Sequence, residues 1–494
     1  MKISKRFWYC ITVIAFPLFF VLHGVNEQFG LISNRTIAEL LLYYIFVSVG
    51  IAVFSKIFLK EYERATVFLF FLLSIFFFFG AVKDSFKETW LENIFGPYKI
   101  IIPVIFILIC IPFLLILKTK TSFTRAGLFI RTLLIICLIV ETGILFYNVF
   151  TNSDRQKDLG DIDHDLIKNI IVPDSVQKPF IFWIVMDEYS GKSALKKRWN
   201  FNNPIDSILR TKGFYSSDSA RSPYNYTHYS LASTLDMVYL PNLKEHSVIG
   251  FRDIVRGNIS LRQTNVVKML KKLGYKINNF TIYNIDGHPT KAHEYFLNAD
   301  FKLIDNQTLA GRIRQDIGWN FMNVDYARGL SEEYKYRQTL MQEGLEAAQS
   351  AVNSKNPSFF MFHFMLTHEP FLYQEDGTLD LSAGFGMSPE KYVSSITYAN
   401  KALAEFIDSL KSIYSNKELV IILQGDHGYK FDETDPLFDQ EGCSILYSVY
   451  CSDSSYPGLN NSFNSVNGFR VIFNKYFHTN LPLLENRSFN LYYR

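Results

Sequence analysis

The chain has 494 residues, of which 48% are hydrophobic and 16% aromatic, and only 20% are charged. That composition excludes a disordered chain, which is poor in aromatics and rich in charge. Lys plus Arg is 50 and Asp plus Glu is 47, so a net charge of +3 gives no electrostatic case for nucleic-acid binding.

The apolar excess comes first along the chain. Five runs, 7–25, 38–59, 66–82, 100–117 and 126–150, each come close to the roughly 20 residues that cross a bilayer core. One such run is often a buried core helix, but five within 150 residues predict a transmembrane domain. The first run is followed by four more, so a cleaved signal peptide is not expected. Lys2, Lys5 and Arg6, with Lys56, Lys60, Arg64, Lys118, Lys120 and Arg125, fall on one side. Only Arg35, Lys83, Lys87 and Lys99 fall on the other. The positive-inside rule then puts the N-terminus in the cytoplasm and everything after residue 150 outside. Trp90 and Phe95, in an outer loop, are expected along the interface. Glu39 and Glu141 fall at or within spans, where a charge is costly and raises a functional possibility.

Residues 151–176 are polar and charged, and read as a linker. The apolar run 180–186 then suits a fully buried strand. Helices are expected over 204–212, 264–273, 332–353 and 389–414. Further strands are expected in YKINNFTIY after Gly274, over 357–364 and over 418–423. Alternating strands and helices predict an α/β domain with a largely parallel central sheet, whose ligands bind at the carboxyl ends of the strands. The organisation expected is therefore 1–150 transmembrane, 151–176 linker and 177–494 catalytic. Cys10, Cys110 and Cys137 fall in the spans and are expected to be inert. Five Cys do not make a disulfide scaffold. The compartment allows a disulfide between Cys443 and Cys451, but their spacing does not establish one.

Three strand ends deliver chemistry-bearing side chains: Asp187 and Glu188 after the first strand, His363 and His368 in FFMFHFMLTHEPF, and Asp426 and His427 after 420–423. Each has a bland reading alone, as a helix cap or a satisfied histidine. Together they are the ligand types of Zn²⁺ or a similar divalent ion. A nucleophile is sought in SPYNYTHYSLASTLDMVYL, rich in hydroxyls, with a helix expected over 230–240. A hydroxyl is weak until a metal or base activates it, and a helix N-terminus favours a bound phosphate. The residues alone leave Thr227 and Ser230 equally open.

In this order the motifs resemble the alkaline phosphatase/sulfatase superfamily in its membrane-anchored branch, similar to lipoteichoic acid synthases and lipid A phosphoethanolamine transferases. The likeness rests on 180–190, 222–240, 359–377, 420–430 and VNGFRVIFN at 466–474. The resemblance implies Thr227 as the nucleophile that becomes phosphorylated, and Asp187, Asp426 and His427 as metal ligands. It implies His363, His368 and Glu188 as substrate or second-metal residues. The His-plus-carboxylate set favours Zn²⁺, with Mn²⁺ or Mg²⁺ compatible. Thr227 is followed by His-Tyr-Ser-Leu and cannot become the formylglycine of true sulfatases. The expected activity is transfer of a phospho-head-group from a membrane lipid donor to a cell-envelope glycan or lipid acceptor. The same site acting as a phosphodiesterase or phosphatase, and a silent membrane binding protein, are the alternatives. The expected location is the bacterial inner membrane, with the catalytic domain periplasmic or extracellular.

Overall fold

The computed structural model describes residues 4–494 except 88, 152–163, 168–169, 171, 174–175, 286, 291–298, 323–325, 384–387 and 430–432. Much of the expected 151–176 linker, and Lys430 of the 420–430 motif, lie outside the described residues. The chain forms two compact units, residues 1–156 with 298–324, and residues 157–297 with 325–494. The sequence division had placed 298–324 in the outer domain; by its contacts it groups with the N-terminal helices.

The first unit contains helices α1 (Lys5–Glu27), α2 (Asn34–Leu59), α3 (Tyr62–Asp84), the short α4 (Glu92–Phe95), α5 (Tyr98–Lys118) and α6 (Thr124–Thr151). All but α4 are long and apolar enough to cross a membrane, as the five runs predicted. Each extends past its apolar run, because the polar residues flanking a span stay helical. The bundle core is aromatic. Phe16, Phe20, Tyr44 and Phe77 are at most 3% exposed, with Phe16 stacked on Phe77 at 5.5 Å between centroids. Phe46 and Phe106 face outward, as side chains solvated by lipid do.

The inserted segment carries helices Ala299–Asp305 and Leu309–Met322. Ile304 is buried in the bundle core. The Asp300 carboxylate accepts from Ser33 N–H at 3.1 Å and Thr36 Oγ1 at 2.7 Å, capping α2 from a distant part of the chain. Asp305 accepts from Tyr44 Oη at 3.0 Å. Gly80 donates its N–H to Gln307 O, and a Cβ at Gly80 would lie 2.7 Å from Gln307 Cα, so only glycine admits this approach.

The second unit is built on a six-stranded sheet. Its strands are β1 (Phe180–Met186), β2 (Tyr215–Ser216), β4 (Lys276–Phe280), β5 (Ser358–Phe364), β6 (Leu419–Gly425) and β7 (Tyr447–Cys451), in the order β2-β7-β6-β1-β5-β4. β4, β5, β1 and β6 are parallel, and β7 and β2 add antiparallel pairs at one edge. β3 (Val248–Ile249) and β8 (Tyr492–Tyr493) form a separate parallel pair. Every residue of FIFWIVM is buried because both faces of the sheet are covered. Phe182, Ile184 and Met186 point to one core, with Ile396, Leu403 and Phe406 of helix Pro389–Ile413. Ile181, Trp183 and Val185 point to the other, with Leu231 and Leu235 of helix Thr227–Asp236. The α/β class and largely parallel sheet are as expected. Helix Tyr326–Ala351 begins six residues before its expected start, and Cys443 and Cys451 are buried free thiols.

Candidate functional site

Strand register sets the geometry. Met186 pairs with Phe364 on one side and Gly425 on the other, so Asp187 and Asp426 leave neighbouring strands level with each other. His363, paired with Val185, is one step back on β5. One ligand atom each from Asp187, His363 and Asp426 lies within 4.8 Å of the others, and all three residues are buried.

The backbone aims these groups. Glu188 takes φ +60°, a left-handed conformation that costs a non-glycine residue about 1–2 kcal/mol. There its N–H donates to Asp426 Oδ1 at 2.8 Å, and His427 N–H donates to the same oxygen at 2.8 Å. Asp426 Oδ2 makes no hydrogen bond and lies 3.4 Å from His427 Nε2. Asp187 Oδ2 lies 2.8 Å from His363 Nε2, and Asp187 Oδ1, 3.8 Å from His368 Nε2, makes no hydrogen bond. Neither His363 nitrogen has hydrogen-bonding geometry, so the groups converge on a point rather than on one another. Gly428 lets the loop after His427 pass beneath Glu441, whose carbonyl oxygen would stand 2.2 Å from a Cβ.

Two carbonyls fix the other imidazoles. His427 Nδ1 lies 2.6 Å from Gly428 O, and His368 Nδ1 lies 2.6 Å from Glu369 O. A carbonyl only accepts, so Nδ1 carries the proton in each neutral ring and Nε2 presents a lone pair. Thr227 is the first residue of helix Thr227–Asp236, and its hydroxyl donates to His427 Nε2 at 3.2 Å. It is half-buried. Ser230 is fully buried and donates Oγ to Asp426 O at 2.5 Å.

Burial opposes ionisation of Asp187, yet His368, His363 and His427 together outweigh it and hold the carboxyl well below the usual range. Burial likewise opposes protonation of His363, but Asp187 and Asp426 raise its pKa. Buried carboxylate oxygens without donors, beside imidazole lone pairs, are costly unless a cation answers them. The donor set fits a divalent ion with nitrogen and oxygen ligands.

Of the sequence-predicted residues, Asp187, Asp426, His427, His363, His368 and Thr227 come together. Glu188 contributes its backbone, with Tyr392 Oη donating to its carbonyl at 2.7 Å, and its carboxylate is not among the converging atoms. Tyr283 and His228 went unnoticed in the sequence. The Tyr283 ring stacks on His363 at 6.0 Å, and its hydroxyl lies 2.8 Å from His228 Nδ1. Tyr283 lies three residues past the end of β4, in the loop to which the strand-end rule points.

Comparison with curated proteins gives no match. Similar solved structures include lipooligosaccharide phosphoethanolamine transferase A (EptA) from Neisseria meningitidis (12% identity, 96% of this chain and 95% of that one, TM-score 0.37). They also include the C-terminal periplasmic domain of EptC from Escherichia coli (13%, 65% and 91%, TM-score 0.38). A third is an alkaline phosphatase superfamily protein from Vibrio parahaemolyticus (11%, 66% and 75%, TM-score 0.39). The sulfatase family model matches residues 179–475, which takes in every residue of the site. The chain therefore belongs to the sulfatase family.

Proposed function

We propose that the chain is a metal-dependent, membrane-bound phosphotransferase that moves a phospho-head-group from a lipid donor to a cell-envelope glycan or lipid. It works through a phosphothreonine at Thr227. The observation that carries this reading is the Thr227 hydroxyl, at a helix N-terminus and hydrogen-bonded to His427 Nε2, beside buried carboxylate oxygens that lack donors. Ser230 is the weaker candidate, because its hydroxyl is buried and spent on the Asp426 carbonyl.

Asp187, Asp426 and His427 would hold the ion, with His363 close enough to join them. Zn²⁺ is the favoured ion, with Mn²⁺ or Mg²⁺ compatible. Such an ion lowers the pKa of a nearby hydroxyl and offsets charge on phosphoryl oxygens. The first turn of helix Thr227–Asp236 adds backbone N–H groups and a positive dipole end for the phosphate. His368 turns its Nε2 lone pair to the same centre, toward a second ion or, when protonated, a phosphate oxygen. In the first half-reaction Thr227 Oγ bonds to phosphorus and the bond to the lipid oxygen breaks, with the hydroxyl proton ending on that oxygen. In the second, an acceptor oxygen bonds to phosphorus, the Thr227 Oγ–P bond breaks, and the acceptor's proton returns to Thr227. The membrane helices keep this chemistry beside its lipid donor, with the N-terminus cytoplasmic and the sheet unit on the periplasmic or extracellular side. The division at 1–150, 151–176 and 177–494 is part of the same proposal, with 298–324 returned to the helical unit.

The test is intact mass of the full chain in detergent after incubation with Zn²⁺ and bis(p-nitrophenyl) phosphate. A phosphoryl-type adduct on Thr227 is expected. Thr227→Ala should lack it and lose turnover by about 10³-fold or more. Unchanged turnover in Thr227→Ala would overturn the reading.

A further inference from the structure

Arg337 lies on helix Tyr326–Ala351, is 3% exposed, and has no place in the mechanism above. Its guanidinium sits under the loop that carries His368. Nη1 donates to Met365 O, to His368 O at 3.1 Å and to Pro370 O at 3.4 Å, and Nη2 donates to Glu369 O at 3.4 Å. Nε donates to Glu333 Oε1 one turn earlier, at 2.8 Å. One side chain thus gathers four carbonyls within six consecutive residues. The Glu369 carbonyl is the one that matters most, because it also receives His368 Nδ1–H. On its other side the loop is fastened to the first carboxylate, since Thr367 Oγ1 donates to Asp187 O.

We propose that Arg337 is the positioning residue for His368. By fixing the Glu369 carbonyl it sets the proton on Nδ1 and turns the Nε2 lone pair toward Asp187. Partners of this kind, one shell removed from the chemistry, commonly change activity or metal affinity 10–100-fold when lost. A lysine cannot replace the fork: its ammonium is a point charge with three donors and no plane, and it cannot span four carbonyls. A residue that only packed the helix against the loop would destabilise the protein without acting through His368, and the experiment separates the two.

The inference rests on the reading of the Thr227 centre, and is tested by a double-mutant cycle on the full chain in detergent, with Zn²⁺ and bis(p-nitrophenyl) phosphate. Arg337→Lys should lower kcat/KM 10–100-fold, and His368→Ala at least as far. In the His368→Ala background Arg337→Lys should then change kcat/KM less than twofold, since its only route is already gone. Glu333→Gln, which loosens the guanidinium at its half-buried side, should show a smaller loss of two- to fivefold. That loss should also vanish in His368→Ala, so this cycle decides the matter alone if Arg337→Lys does not accumulate. A loss that persists undiminished in His368→Ala, or a His368→Ala variant with wild-type turnover, overturns the proposal. Failure of the underlying reading looks different: there Thr227→Ala itself stays active.

Discussion

In the helical unit, Glu63 is 1% exposed and meets Arg131 Nη2 at 2.6 Å. Glu141, buried in α6, has His23 Nδ1 at 2.8 Å on one oxygen and Asn26 Nδ2 at 2.7 Å on the other. In the sheet unit, Asp187 and Asp426 are buried as deeply, yet each keeps an oxygen without a donor. The first pair of acids is answered by the fold and works as joinery between helices. The second pair is left for something the polypeptide does not supply. Burial of a carboxylate alone therefore does not mark a site; what marks it is two unanswered carboxylates and an imidazole converging within 4.8 Å. Glu141, whose place within a span raises a functional possibility, is held here in a hydrogen-bonded contact between α1 and α6.

One substitution applied to both regions breaks or sharpens this contrast. Removing the partner of a buried pair leaves a charge stranded, so Arg131→Met should cost about 3–5 kcal/mol of stability. The double variant Arg131→Met, Glu63→Met should cost less than the single, as read by thermal unfolding in detergent. Asp426→Asn should do the opposite in metal-free protein. It keeps an acceptor for the Glu188 and His427 N–H groups and removes a buried charge, so unfolding should shift upward by about 1–2 kcal/mol. The same variant should lose the gain that Zn²⁺ gives the wild type, about 2.7 kcal/mol at a hundred times Kd.

Asp236 is a case between the two. Its Oδ1 accepts Asn265 N–H at 2.9 Å, its Oδ2 has no partner, and burial pushes its pKa up to about 7 against the opposing Asn265 N–H and Lys268. The folded state holds this proton to higher pH than the unfolded chain does. Stability is thus full below about pH 4 and is lost as pH rises toward 7, by up to about 4 kcal/mol from this group. Asp236→Asn should flatten that part of a stability–pH profile. Gly80→Ala, by overpacking against Gln307, should cost about 1–3 kcal/mol in the helical unit and leave the site's metal affinity unchanged.

The strand-end acids were legible because a short apolar run such as FIFWIVM suits a doubly covered strand, which puts the polar residue that follows at its carboxyl end. Register then brought Asp187 and Asp426 level without any further signal. Thr227 and Ser230 could not be separated by sequence, since a helix start is uncertain by a turn. The structure begins the helix at 227, not 230, which sends Ser230 inward and Thr227 to the centre. Arg337 was illegible because a basic residue in an amphipathic helix looks solvated, and its role lies in carbonyls 28 and more residues away. The grouping of 298–324 was illegible for the same reason: Asp300 and Asp305 are ordinary residues until they meet Thr36 and Tyr44 across more than 250 positions.

That last grouping carries a consequence for synthesis. Helices α1 to α6 leave the ribosome about 150 residues before the segment that caps α2 and fills the place beside Gly80. At 5–20 residues per second the bundle waits on the order of ten to thirty seconds for its last piece. During that time Ser33, Thr36 and Tyr44 lack their carboxylate partners, and the seat of Ile304 in the aromatic core is unfilled. The usual order, in which an N-terminal domain completes itself before the next begins, is not open to this chain. The two units must be finished together, and a chain stopped short of residue 298 would leave an incomplete bundle for quality control to find.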